Sequence, residues 1–67
     1  MTIGEKIKVL RGDESQAKLA EAVGVSPSAI SMFETDQRIP RDETKKALAK
    51  HFGVSVEELF FTDKVYK

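Results

Sequence analysis

Gln16-Ala17-Lys18-Leu19-Ala20-Glu21-Ala22-Val23-Gly24-Val25-Ser26-Pro27-Ser28-Ala29-Ile30-Ser31-Met32-Phe33-Glu34 reads as two short helices joined by a tight turn. Ser15 offers a capping hydroxyl to the first, which is about two turns long and carries Leu19, Ala20 and Val23 on its inner side. Gly24 then supplies the left-handed residue that ends a helix at low steric cost. Ser26 and Pro27 restart helical structure, the hydroxyl as cap and the proline at the first helical position, where its missing N–H costs nothing. This next helix, expected from about Pro27 to Thr35, divides into two faces. Ala29, Ile30 and Phe33 make an apolar side, whereas Ser28, Ser31, Met32 and Thr35 recur at i, i+3, i+4 and i+7 on the other.

Working outward, the same signals recur. Thr2 with Glu5 three residues on is a capping box, and Ile3, Ile7 and Leu10 line one face of a first helix that Gly12 stops. Asp36 to Pro40 is expected as a loop, because the residue before a proline is pushed out of helical conformation. A fourth helix from about Arg41 to Phe52 has a narrow apolar stripe in Leu48 and Phe52, and Gly53 ends it. Ser55, Glu58 and Val54 poised over Leu59 give a capping box and a hydrophobic staple for a fifth helix ending near Phe61. Thr62 to Lys67 is expected to fray or to serve as a contact arm. No stretch alternates in the manner of a strand, so residues 1–67 are expected to form one all-α domain of five helices.

Size and composition narrow the function classes. A chain of 67 residues and 7.5 kDa buries only roughly 60% of the surface its unfolded form exposes. It has no cysteine and one histidine, His51, which leaves no disulfide framework and too few ligands for a structural zinc. The longest apolar runs, Ala47-Leu48-Ala49 and Leu59-Phe60-Phe61, are three residues, so neither a membrane span nor a signal peptide is expected and the expected location is cytoplasmic. Eleven basic and eleven acidic residues cancel, so the sum lacks the excess typical of a nucleic-acid binder. The distribution is uneven. Arg38 to Lys50 holds five basic residues against two acidic ones, and Arg11 to Asp36 two against five.

Two helices, a glycine turn and a polar outer face on the second helix are the geometry of a helix-turn-helix, whose second helix enters a DNA major groove. The quoted stretch closely resembles the lambda-repressor-like, or xenobiotic-response-element, family. The match lies in Gln16 at the head of the first motif helix, Leu19-Ala20 within it, Gly24-Val25-Ser26 in the turn, Ile30 at mid-recognition helix and Glu34 at its end. It extends to Ile7–Arg11, to Pro40 before helix four, and to Leu48-Ala49 with Phe52-Gly53-Val54-Ser55. Two departures stand out: the connection between Arg11 and Gln16 is about two residues shorter than the commonest family form, and Asp42 and Lys45 occupy early helix-four positions that family members commonly fill with apolar residues. The second departure implies looser packing there.

The resemblance implies a five-helix, lambda-repressor-like domain (motif about 16–34) that binds duplex DNA as a transcriptional regulator, typically a repressor, and works as a weak homodimer without a cofactor. Implied DNA-binding residues are Gln16, at the dipole-favoured start of helix two, with Ser26, Pro27, Ser28, Ser31, Met32 and Thr35 along helix three. Pro27 stands where some members extend a polar side chain. Met32 is out of phase with Ile30 and Phe33, which fits contact with a thymine methyl. Arg38 and Arg41 are implied phosphate clamps, with Lys45 a third candidate. Arg11 and Glu34 are implied to pair across the domain; the dimer seam is left open by the sequence, with Phe60, Phe61, Val65 and Tyr66 as apolar tail residues able to contribute to it.

Enzymatic readings fail on inventory. Gly24-Val25-Ser26-Pro27-Ser28 approaches a nucleophile elbow but has serine where the last glycine belongs and no preceding strand. No phosphate-binding glycine loop with lysine is present. The alternative to DNA binding is a protein-docking module that recruits a separate regulatory protein or a toxin, and the neutral total charge is its support.

Overall fold

The structure, a computed structural model, describes residues 1–60. Among them lie α1 (Ile3–Arg11), α2 (Gln16–Val23), α3 (Pro27–Glu34), α4 (Asp42–Phe52) and α5 (Val56–Phe60), with no strand. Four of the five helices begin on the cap the sequence offers. Thr2 Oγ1 accepts from Glu5 N–H at 3.1 Å while the Glu5 carboxylate accepts from Thr2 N–H at 2.8 Å. Ser15 and Ser26 accept from the N–H groups of Lys18 and Ala29 at 3.0 and 3.1 Å. Ser55 and Glu58 close the same reciprocal box at 2.9 and 3.0 Å. Helix α4 is the exception: it starts one residue later than expected, with Arg41 as an N-cap that makes no side-chain bond. Asp42 and Glu43 in its first turn offset the helix dipole instead.

Each helix sends one aliphatic side chain to the centre. Ile7, Leu19, Ile30, Leu48 and Leu59 are all fully buried, and Ala20, Ala29, Phe33, Ala49 and Phe60 fill the space between them. Phe60, expected at a dimer seam, is therefore a core residue, and the Lys45 ammonium lies 5.4 Å from its ring centre. Phe61, Val65, Tyr66 and the expected tail 62–67 lie outside the described residues.

Helix α2 packs on α3 and α4, and α1 packs on α3 and α5. The α1–α3 approach depends on Gly4, which is buried: a Cβ there would stand 2.5 Å from the Phe33 carbonyl oxygen and 2.6 Å from that of Glu34. Just beyond α3, Asp36 adopts a left-handed conformation, φ 61°. Its carboxylate accepts from Thr2 Oγ1 at 2.7 Å and from Gly4 N–H at 3.0 Å. The side chain thereby caps the start of α1 from outside and repays the backbone strain.

Candidate DNA interface

The outer face of α3 is built as the periodicity requires, with Ser28 exposed and Ser31 and Met32 half-buried, while Ala29, Ile30 and Phe33 are buried. Pro27 and Ser26 are exposed at its start. Ser26 Oγ accepts the Ala29 N–H, which leaves its hydroxyl hydrogen available to a ligand oxygen. Thr35 is the C-cap of α3 and not part of the helix. Its hydroxyl sits 2.9 Å from Ser31 O and accepts from Gln37 Nε2 at 2.8 Å. Side-chain bonding back onto the last turn competes with reading a base edge, a diversion that spacing alone does not reveal.

At the other end of the motif, Arg11, Glu34 and Gln16 meet. Arg11 Nε donates to Glu34 Oε2 at 2.6 Å and Nη2 donates to Oε1 at 3.2 Å. Its Nη1 donates to Glu14 O at 2.6 Å. Glu34 retains 3% of its side-chain exposure and Arg11 16%. The hydrogen bond to Glu34 raises the Arg11 pKa above its ordinary value against the opposing effect of burial, so the guanidinium stays charged at any working pH. Gln16 Nε2 also donates to Glu34 Oε1, at 3.0 Å. The side chain implied to reach DNA is thus tied to the core ion pair.

Arg38 and Arg41, in the loop between α3 and α4, are exposed and have no ion-pair partner among the described residues. Lys45 differs: its ammonium is 3.9 Å from Asp42 and lies over Phe60, on the α5 side of the helix. Pro40 is buried and pins the loop, whereas Ile39 beside it is 70% exposed. A cleft of about 300 Å³ opens between the motif turn, α3 and the start of α4. Val25, Ala29 and Phe33 line it together with Arg38 and Arg41. Glu43 and Thr44 line it from the start of α4, whereas Asp42 and Lys45, the residues of that departure, do not border it.

Three of the five acidic residues between Arg11 and Asp36 are held by partners within the fold, and Glu34 among them is buried. Glu34 is paired with Arg11, Asp36 is bonded to Thr2 and Gly4, and the Glu14 carboxylate accepts from His51 Nε2 at 2.9 Å. Asp13 and Glu21 remain exposed. Sequence reasoning missed the roles of Asp36 and Glu14. An aspartate two residues past a helix end, tolerant of left-handed backbone, was the available signal for Asp36. Glu14 and His51 are 37 residues apart and left none.

A helix-turn-helix family model matches residues 14–59. The HTH-type transcriptional activator BcrR of Enterococcus faecalis is 38% identical over 61 residues, covering 88% of this chain. The chain spans 30% of that relative's length. Among solved structures, the P22 c2 repressor in complex with a synthetic operator aligns with a TM-score of 0.89 and 35% identity over 94% of this chain and 98% of that one. The solution structure of the DNA-binding domain of the P22 c2 repressor aligns with a TM-score of 0.81 and 33% identity, over 98% and 96%. A family match over well more than half of the chain and five helices superposing on that repressor establish that this chain belongs to the helix-turn-helix family, in its lambda-repressor-like, Cro/cI-type branch.

Proposed function

We propose that this chain is a DNA-binding transcriptional regulator that lays α3 in the major groove. One observation supports the reading: α3 presents a small, uncharged outer face, and the fold also offers Gln16 at the start of α2 and the exposed Arg38 and Arg41, without an ion-pair partner among the described residues, as candidate phosphate contacts. Ser28, Ser31 and Met32 read base edges, Met32 against a thymine methyl. Gln16, Ser26, Arg38 and Arg41 hold the backbone, and Pro27 closes on it by shape. Thr35 acts as a cap that stiffens the end of the reader. Neither catalysis nor a metal enters this mechanism.

Two copies on a near-palindromic operator place their readers about 34 Å apart, one helical turn. The weak affinity of one neutral domain makes such pairing useful. BcrR is named an activator and c2 a repressor, and the same mode of DNA binding serves either direction of control. A cytoplasmic location follows from that role, and a separate regulatory protein is one route to its control.

Selection of bound sequences from random duplexes tests the reading, followed by titrations at several salt concentrations. Met32→Ala should lower preference for the selected site over a scrambled one by about 1–3 kcal/mol and leave the salt slope unchanged. Arg38→Ala or Arg41→Ala should weaken both duplexes and flatten the slope by up to about 0.9. Failure to bind any duplex at low salt would overturn the reading and favour protein docking.

A further inference from the structure

We infer that Glu34, although buried, is a positioning residue for DNA-backbone binding: it fixes the Gln16 amide so that its second N–H faces a phosphate. The inference rests on the DNA-binding reading above and adds a residue that touches no DNA.

The chemistry of a carboxylate carries it. Ionised Glu34 can only accept hydrogen bonds, and Arg11 holds it in place through Nε and Nη2 at 2.6 and 3.2 Å. At 3.0 Å from Glu34 Oε1, Gln16 must therefore present its NH2 group and not its carbonyl oxygen. A free surface glutamine has no such bias, since its amide reverses with little change of shape. One of the two Nε2 hydrogens is consumed by Glu34, and the other has no partner among the described residues. Gln16 is half-exposed and is the first residue of α2. The backbone N–H groups of Gln16 and Ala17 are likewise unpartnered there, while Ser15 takes that of Lys18. Three donors thus belong to one helix end, and Glu34 holds the side-chain donor by one of its two hydrogens.

The ligand that matches is a phosphodiester oxygen, a charged acceptor with no hydrogen to give. Glu34 alone would repel it, but the Arg11 guanidinium offsets that charge at contact distance. The rotamer freedom that a glutamine ordinarily loses on binding is here lost on folding, so it does not weaken the complex.

A double-mutant cycle on the full chain with the selected duplex tests the role. Gln16→Ala should weaken wild-type binding about tenfold on selected and scrambled duplexes alike, the size of a hydrogen bond to a charged acceptor. In a Glu34→Gln background the same change should cost less than about twofold, because an amide at position 34 no longer selects the Gln16 orientation. General electrostatics predicts otherwise: removing an acid tightens binding and leaves the Gln16→Ala penalty intact. Equal penalties in both backgrounds would overturn the inference. Thermal melts establish whether Glu34→Gln folds. If it does not, side-chain amide resonances of the wild type decide. One Gln16 Nε2 hydrogen should be displaced from the free-glutamine position before DNA is added, and the other should move when duplex is added. Two hydrogens at free-glutamine positions, or neither responding to duplex, would overturn it. If the wild type binds no duplex, the DNA reading itself fails, a result separable from equal penalties in a protein that binds.

Discussion

Gly4→Ala sets two well-known effects against each other at one atom. On helix propensity alone the change should stabilise α1 by about 0.8–1 kcal/mol. The added Cβ, however, would stand 2.5 and 2.6 Å from two carbonyl oxygens of α3, where an ordinary close C···O contact is about 3.3 Å or more. Those oxygens belong to backbone and cannot swing aside, so α1 must retreat by roughly 0.8 Å as a body. Overpacking of this kind costs about 1–3 kcal/mol or more. The retreat also stretches the Gly4 N–H bond to Asp36, 3.0 Å in the structure, worth about 1 kcal/mol. The net expectation is destabilisation by about 1–3 kcal/mol, from a total of roughly 3–10 for a chain of this size. Urea and thermal unfolding followed by circular dichroism measure it, with the midpoint temperature falling by at least about 4 °C. A variant as stable as wild type would show that α1 does not dock on α3 as closely as described.

Three further outcomes are expected. Phe33→Ala, which empties a site 4% exposed in the core, should cost about 3–5 kcal/mol and leave much of the protein unfolded at 37 °C; an unchanged melting midpoint would mean that α3 is phased differently. Arg11→Gln strands the Glu34 carboxylate at 3% exposure and should cost about 2–4 kcal/mol, between the values for exposed and buried pairs; chemical denaturation with a loss under about 0.5 kcal/mol would contradict that. Asp36→Ala keeps a left-handed φ of 61° without the carboxylate that repays it and should cost about 1–3 kcal/mol, whereas Asp36→Gly should cost less, as paired melts can decide.

The helices were legible because their ends are written in local chemistry. Ser15, Ser26 and Ser55 accept the expected N–H groups, and Gly24 and Gly53 take left-handed conformations at φ 78° and 72°. Such signals reach three or four residues, and the buried faces follow from helical period. Partnerships across the fold were less accessible. The Arg11–Glu34 pair came from resemblance and is present, but nothing local to Gln16 tells that its amide bonds to Glu34, 18 residues further along the chain. The backbone bond that Thr35 makes in its own last turn and the place of Phe60 in the core were likewise not written in the local sequence.

The Asp36–Thr2 and Asp36–Gly4 bonds join residues 34 and 32 positions apart, which bears on the order in which the chain folds. Helices α2 and α3 are separated by three residues and pay little loop-closure entropy to meet. Helix α1 gains its partners at the end of α3 only after a loop of about two dozen residues has closed. The motif pair therefore forms the nucleus, and α1 docks on the downhill side of the barrier. Weakening the α1–α3 seam should chiefly accelerate unfolding and leave the folding rate nearly untouched. Resistance to transient opening in this small domain is then expected to depend on a latch beside the recognition helix, together with the part of the core that α1 carries.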